Sequence, residues 1–448
     1  MTTLGQSLGT TPTGRTIYRR YQTAVFILAS LYLVQVVTPL RLHPDTVVLL
    51  SVADSVAHGN GFLFNGQPTV FPPGYPALAA LLLKLRVAHN WALIGFNVIS
   101  LFVGLWAAGY VLMRRIFDTL FPVLNVCLVS SLSFVFIKYS AIPLTEAGFF
   151  GLAMCCLAVM ESISRVNLGR EFWLRMTASW IFLLAALAVR RVGIALIPAL
   201  LWSLVSHAEL RQWIRRLSNR TKIAIVPVIV GACALTAWIV MDHFSLIKDR
   251  FEAVLIGHSL ADVVPGVLFF RLREMSEMTL NLPITALPSA IRPAALLVGG
   301  LSLVLILQGI AITMKREISP TTVFLCSYSL VIFSWPWYDP RFWFPVIPLL
   351  IGYAGLAVKQ VIVRHRSLKT FGRLYLATFV LIGAVTLGWS TAVTFSGSRF
   401  PDTYQEFSKS QFPESFRPTY CAAFRSCADG ADARHADTIA LRLLRQYN

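Results

Sequence analysis

The chain has 448 residues, 56% of them hydrophobic and 13% charged. Soluble domains carry roughly 25% charged residues, so this composition excludes a water-soluble fold of the same length. The formal charge of +18 does not indicate a nucleic-acid partner, because the Lys and Arg residues fall in short clusters between apolar blocks, the topogenic pattern of membrane proteins.

The apolar blocks approach the about 20 residues that a helix needs to cross a bilayer. In chain order they predict spans at about 22–40, 91–113, 120–138, 143–160, 173–189, 191–206, 223–243, 293–314, 320–336, 342–361 and 372–393. The expected fold is therefore all-α and polytopic, with about eleven transmembrane helices. Residues 76–88, "PALAALLLKLRVA", are too short to cross and carry Lys84 and Arg86; they predict an interfacial helix.

Lys and Arg set the orientation. One set of alternate connections holds Arg15, Arg19 and Arg20, then Arg114 and Arg115, then Arg165, Arg170 and Arg175, and later Arg211 to Lys222, Lys315 and Arg316, and Arg364 to Arg373. The opposite short connections hold only Lys138, Arg190, Arg191 and Arg341. The first set is expected in the cytoplasm, which puts the N-terminus inside and the C-terminus outside. A transmembrane domain over 1–393 then exposes a first exterior loop (41–90) and a middle one (244–292), followed by an exterior tail (394–448). The first span lacks a small-residue cleavage site after it and is expected to stay as an anchor. An exterior tail favours a Cys421–Cys427 disulfide, with two free thiols as the alternative. Cys127, Cys155, Cys156, Cys233 and Cys326 lie in apolar blocks and read as small hydrophobes.

Within the first loop, "DTVVLLSVADSVAHG" reads as an amphipathic helix bounded by Pro44 and Gly59. Pro44 presets the start, and Asp45 suits the positive end of the helix dipole. "GNGFLFNGQP" is turn chemistry, and "PPGYP" ends one segment and launches the interfacial helix.

"PDTVVLLSVADSVAHGNGF" followed by "PTVFPPGYPALAALLLKL" resembles the first exterior loop of the GT-C glycosyltransferases. These integral membrane enzymes take a sugar from a polyprenyl-phosphate carrier and include protein O-mannosyltransferases and lipid A aminoarabinose transferases. Asp45, Ala53, Gly59, Gly61, Phe62, Pro72 and Pro73 follow that family's order. "IPLTEAGFF" with Glu146, "LAVRRVGIALIPALL" with Arg190 or Arg191, and "WYDPRFWFPVIPLL" with Arg341 are looser matches. Thr46 stands where many relatives carry a second acid, which argues against a two-carboxylate or metal-dependent variant. The resemblance implies inverting transfer of one glycosyl unit to an acceptor hydroxyl, at the outer face of a bacterial inner membrane. The acceptor would be a glycan, a lipid or a protein.

Such a transfer needs one general base. It also needs cations to take up the charge of the leaving phosphate. Asp45 is the candidate base, against the alternative of a plain first-turn helix acid. Arg190, Arg191, Arg341 and Lys138 are candidate phosphate ligands, against snorkelling to the interface. Glu146, Asp54, Tyr75 and Tyr338 are candidate substrate-binding residues. Asp54 lies nine residues after Asp45, on the opposite side of one helix at about 100° per residue, and also reads as a solvated-face residue. Tyr338 belongs with Trp335, Trp337 and Trp343 to an aromatic belt. Neither His43 beside Asp45 nor His258 with Asp262 supplies the ligand count of a metal site. Magnesium or manganese is admitted only through Asp45 together with donor phosphate. The rival classes are a lipid-sugar flippase or secondary transporter, and a non-catalytic assembly protein. The absence of an internal repeat, and the gathering of polar residues at one face, favour the enzyme over a transporter.

Overall fold

The computed structural model describes residues 12–41, 43–69, 71–210, 212, 260–364, 368–396, 442–443 and 446–447. The first helix, α1, covers Pro12–Val34 and tightens into a 3-10 turn at Gln35–Val37. The first loop then folds as its sequence dictates. α2 covers Pro44–Ala57, with Pro44 in its first turn and His43 as N-cap, the ring Nδ1 accepting from the Asp45 amide at 3.2 Å. A two-stranded hairpin pairs β1 (Leu63–Phe64) with β2 (Gln67–Pro68), Phe64 opposite Gln67. Its two-residue turn is Asn65-Gly66 with φ of 50° and 77°, the left-handed pair that a tight hairpin demands. α3, Gly74–Lys84, packs on α2.

The bundle follows as α4 (Asn90–Arg115), α5 (Leu120–Ser131), α6 (Phe134–Ser140), α7 (Thr145–Ile163) and α8 (Arg170–Val189). A 3-10 turn at Arg191–Ala195 leads into α9 (Leu196–Ser206). Then come α10 (Leu260–Leu280), α11 (Arg292–Arg316), α12 (Pro320–Phe333), a 3-10 turn at Pro340–Val346, α13 (Ile347–Arg364) and α14 (Leu368–Ser396).

The protein is all-α apart from that hairpin, and it is a multi-pass membrane protein. Among the described residues six helices are long and apolar enough to cross a bilayer, seven if the bent pair α5–α6 counts as one span. Leu297, Leu301, Phe371, Leu374 and Leu381 stand exposed along them, as side chains facing lipid do and a water-facing surface does not. Ten of the eleven expected spans resolve into these six, the bent pair, and three shorter apolar helices over Tyr21–Val37, Arg191–Ser206 and Pro320–Phe333; the eleventh, 223–243, and the Cys421–Cys427 pair lie outside the described residues.

The expected helix 120–138 is broken by 55° between α5 and α6. Asn281 satisfies the backbone groups freed there: its Oδ1 accepts from the Phe134 amide at 2.7 Å, and its Nδ2 donates to the carbonyls of Leu132 at 2.9 Å and Phe379 at 3.1 Å. An unsatisfied break at membrane depth would cost several kcal/mol (~). The expected middle loop likewise contains α10, a 21-residue helix packed on α11.

Glycines let the helices approach. A Cβ on Gly151 of α7 would lie 2.8 Å from the Ser100 carbonyl oxygen of α4, and one on Gly309 of α11 would lie 2.1 Å from the Tyr353 carbonyl oxygen of α13. Close seams of this kind replace hydrophobic driving force inside a bilayer. Gly309→Ala therefore has to push two helix backbones apart and is expected to cost about 1–3 kcal/mol. Gly388→Ala, where nothing lies within 4 Å of the added carbon, is expected to unfold no earlier than the parent protein. Thermal unfolding in detergent separates the two.

Candidate active site

Three segments far apart in sequence meet at one end of the bundle. The first is the start of α2, with His43 and Asp45. The second is the α6–α7 junction, with Tyr139 and Glu146. The third is the loop before α13, with Asp339 and Arg341. The Arg341 guanidinium sits between them. Its NH1 lies 2.6 Å from Asp45 Oδ2 and 3.6 Å from Glu146 Oε1, and its Nε lies 2.5 Å from Asp339 Oδ2. Arg190, at the end of α8, brings its NH1 to 2.8 Å from Glu146 Oε1. Both guanidiniums lie over the Phe342 ring, at 6.0 Å for Arg190 and 5.6 Å for Arg341. Asp339 caps the 3-10 turn by accepting from the Arg341 amide at 3.0 Å, and it takes the Tyr139 hydroxyl at 3.3 Å. Local sequence builds this corner: Asp339 and Pro340 start the turn as cap and first residue.

The cluster is open on one side. The Asp45 side chain is 25% exposed, whereas that of Glu146 is 1% exposed. Glu146 Oε2 is buried with no hydrogen-bond partner. Burial alone would raise the Asp45 carboxyl, but Arg341, His43 and Arg190 outweigh it and hold the group below its ordinary value. His43 is pushed down by burial and by Arg341. It is neutral at pH 7, in keeping with an Nδ1 that accepts a hydrogen bond. Three carboxylates thus share two guanidiniums.

The sequence-predicted residues divide. Asp45, Glu146, Arg190 and Arg341 converge, and Arg191 is half-buried at the start of the adjoining 3-10 turn. Lys138 lies over the Tyr139 ring at 5.3 Å, one residue away from the cluster. Tyr75 is buried with its hydroxyl lacking a hydrogen-bond partner, and its surroundings include Glu146 and Tyr447. Tyr338 is held elsewhere, under the Arg273 guanidinium at 4.1 Å from the ring centre.

Asp54 is not a solvated-face residue. Its side chain is 15% exposed and is gripped by Gln446 at 3.1 Å and Arg442 at 3.5 Å, from the far end of the chain. α2 is accordingly buried along most of its length rather than half-solvated. Asp262 starts α10, and His258 lies outside the described residues.

Sequence reasoning missed Asp339 and the α10 pair Arg271 and Glu274. Arg271 NH1 lies 2.9 Å from Glu274 Oε2, with both side chains out of solvent. The available signal was oppositely charged residues at i,i+3 and i,i+4 spacing, Arg271 with Glu274 and Arg273 with Glu277, within one helix. Among the described residues no three His, Cys, Asp or Glu side chains form a metal-ligand set. The space between Asp45, Glu146 and Asp339 is filled by a guanidinium, so this donor set does not fit a bound cation.

No family model and no curated protein matches the chain. Among solved structures it is similar to ArnT from Cupriavidus metallidurans. With that protein bound to undecaprenyl phosphate, identity is 14%, coverage 86% of this chain and 77% of ArnT, and the TM-score 0.47. Apo ArnT gives 14% identity, 85% and 77% coverage and a TM-score of 0.48. The archaeal oligosaccharyltransferase AglB from Archaeoglobus fulgidus, in complex with an inhibitory peptide and a dolichol-phosphate, gives 11% identity and a TM-score of 0.46. That match covers 85% of this chain and 56% of AglB.

The two buried acids of this region differ in how far they depend on their partners. Glu146→Ala leaves the Arg190 guanidinium without its carboxylate in a dry setting and is expected to cost about 3–5 kcal/mol. Asp54→Asn loses a pair whose Arg442 is half-exposed and is expected to cost less than about 1 kcal/mol. Unfolding midpoints of the purified variants check the order.

Proposed function

We propose that the protein transfers one glycosyl unit from a polyprenyl-phosphate carrier to an acceptor hydroxyl at the outer membrane face, by direct displacement with inversion. The observation that carries this reading is the pairing of a partly exposed carboxylate, Asp45, with a guanidinium, Arg341, at 2.6 Å. A candidate base and a candidate anion-binding cation therefore stand side by side. The location at the outer face of a bacterial inner membrane rests on the Lys and Arg asymmetry between alternate loops. Divalent magnesium or manganese has no step in this mechanism.

In the free protein Asp45 is a weak base, because Arg341 stabilises its ionised form. Its oxygens occupy the place where donor phosphate oxygens would lie. A bound donor phosphate draws the fork of Arg341, and with it Arg190, onto itself through charge-assisted bonds. The Asp45 carboxylate then loses its main counter-charge and becomes a stronger base beside the acceptor hydroxyl. Attack of that hydroxyl oxygen on the anomeric carbon breaks the bond to the phosphate oxygen. The hydroxyl proton goes to Asp45, and the bonding pair leaves with the phosphate, whose charge the two guanidiniums stabilise. Glu146, through its unpaired Oε2, and the Tyr75 hydroxyl are the groups positioned to accept and donate bonds to sugar hydroxyls.

Asp45→Asn keeps the shape of the first turn and removes the base. Transfer from a defined polyprenyl-phosphate sugar is expected to fall by at least about 10²-fold, the lower end for general-base catalysis, while the lipid donor still binds. Near-normal turnover of this variant refutes the role of Asp45; normal donor movement across the bilayer without any transfer favours a flippase instead.

The pH profile has a definite sign. The free-protein Asp45 carboxyl lies below its ordinary 3.8, so the acid limb of kcat/KM falls below that value. In Arg341→Gln burial is no longer offset by its largest counter-charge, the carboxyl rises, and the limb moves to higher pH. An unmoved limb would separate Asp45 from Arg341 functionally.

A further inference from the structure

α10 lies in a segment whose sequence reads as an exterior loop, yet Arg271 and Glu274 are almost wholly buried there, at 1% and 0% exposure. Neither side chain belongs to the Asp45–Glu146–Asp339 cluster. Glu274 accepts two hydrogen bonds, from the Asp339 amide at 2.8 Å and the Trp343 indole Nε1 at 2.7 Å, and forms an ion pair with Arg271 NH1 at 2.9 Å. Arg271 in addition donates to the carbonyls of Trp335, at 3.4 Å, and Trp337. Two residues on one helix thus hold the 335–343 stretch on both sides of Arg341.

The arrangement is more than an ionic staple. Both non-arginine donors to Glu274 lie two residues from Arg341, one on each side. Asp339, whose amide Glu274 fixes, accepts from the Arg341 amide and pairs with its Nε. The path from Glu274 to the guanidinium is therefore one hydrogen bond, to the Asp339 amide, and one ion pair, from the Asp339 carboxylate to Arg341 Nε. Burial pushes the Glu274 carboxyl up, to about 8, against Arg271, Trp343 and the Asp339 amide. The two hydrogen-bond donors and the Arg271 guanidinium that face its oxygens favour the ionised form and oppose that rise. Such a cluster is costly to bury, and the sites it serves are the backbone on either side of one functional side chain.

We infer that Glu274, braced by Arg271, is a positioning residue that sets the Arg341 guanidinium for a lipid phosphate. This deepens the phosphate-cradle reading above and rests on it. Gln at position 274 has the volume of Glu but one acceptor oxygen, a donor NH2 and no charge, so it cannot serve the Asp339 amide and the Trp343 indole on separate oxygens, loses the pair with Arg271, and loosens the turn.

The test is a double-mutant cycle on the full-length protein in detergent, with undecaprenyl phosphate as the probe and tryptophan fluorescence as the binding signal; thermal unfolding is recorded for each variant. Glu274→Gln is expected to weaken binding about tenfold. Arg341→Gln should weaken it at least as much. The double variant Glu274→Gln/Arg341→Gln should bind no more weakly than Arg341→Gln alone, because Glu274 acts through Arg341. Glu274→Gln combined with Arg190→Gln should instead show multiplied losses. If Arg341→Gln does not fold, Arg341→Lys takes its place, keeping the charge and losing the fork. Wild-type binding by Glu274→Gln while Arg341→Gln binds weakly overturns this inference and leaves the cradle standing. Losses that multiply between positions 274 and 341 also overturn it, since a general loosening of the fold gives that pattern. Wild-type binding by both arginine variants overturns the cradle and the inference together.

Discussion

The rest of this structure depends on one buried guanidinium. Arg341 meets Asp45 from the first loop, Glu146 from the start of α7, and Asp339 from its own turn. Taking a charge out of water costs several kcal/mol per ion (~), repaid only when partners surround it in good geometry. Three segments must therefore arrive together for any one of them to be tolerable there. α2 is pinned by its first residues, α7 by its N-terminal turn, and the loop before α13 by its cap. The same requirement leaves the 3-10 turn at Pro340–Val346 in place of a regular helix start.

The scaffold behind that corner is held by different means. Along the spans, glycine seams such as Gly151 on Ser100 and Gly309 on Tyr353 bring backbones together, because lipid offers no hydrophobic incentive for helices to associate. The opposite end of the bundle has its own charge lock. Glu161, with no exposed side-chain surface, pairs with Arg115 and accepts from the Thr321 amide at 3.0 Å and from its hydroxyl at 2.5 Å; Arg115 also reaches Glu317 at 2.7 Å. That lock ties α4, α7, α11 and α12 together at the end richest in arginine. The two ends differ in one respect: the lock at Glu161 is closed, while the cluster at Asp45 is open and leaves Glu146 Oε2 unpaired. An unpaired buried carboxylate oxygen is unfavourable as pure structure.

Chemistry and stability pull in opposite directions at Asp45. The cation that stabilises its charge also weakens it as a base. A site that released Arg341 permanently would have a better base and a poorer phosphate ligand. In the proposed mechanism, exchange of Arg341 from carboxylate to phosphate would let one side chain serve both needs in turn and would link base strength to donor occupancy.

The sequence by itself determined what depends on neighbours in the chain. Apolar block lengths defined most spans, Pro44 and Asp45 the start of α2, and the turn residues of "GNGFLFNGQP" the place of a turn, though not the hairpin it forms. The sparse cations of one loop set brought Arg190 and Arg341 into question beside Asp45 and Glu146, and the four do converge. Only the tertiary structure decided the partners. Arg341 lies nearly three hundred residues from Asp45, and no periodicity or cap signal records such a meeting. Asn281 bridges a break in a span that reads as continuous, because the groups it satisfies come from α5, α6 and α14. Asp54 looked solvated because its partners, Arg442 and Gln446, sit at the other end of the chain. Glu274 and Arg271 were hidden for the same reason: burial of a charge is a property of what packs around it, and in this fold those surroundings are assembled from distant segments.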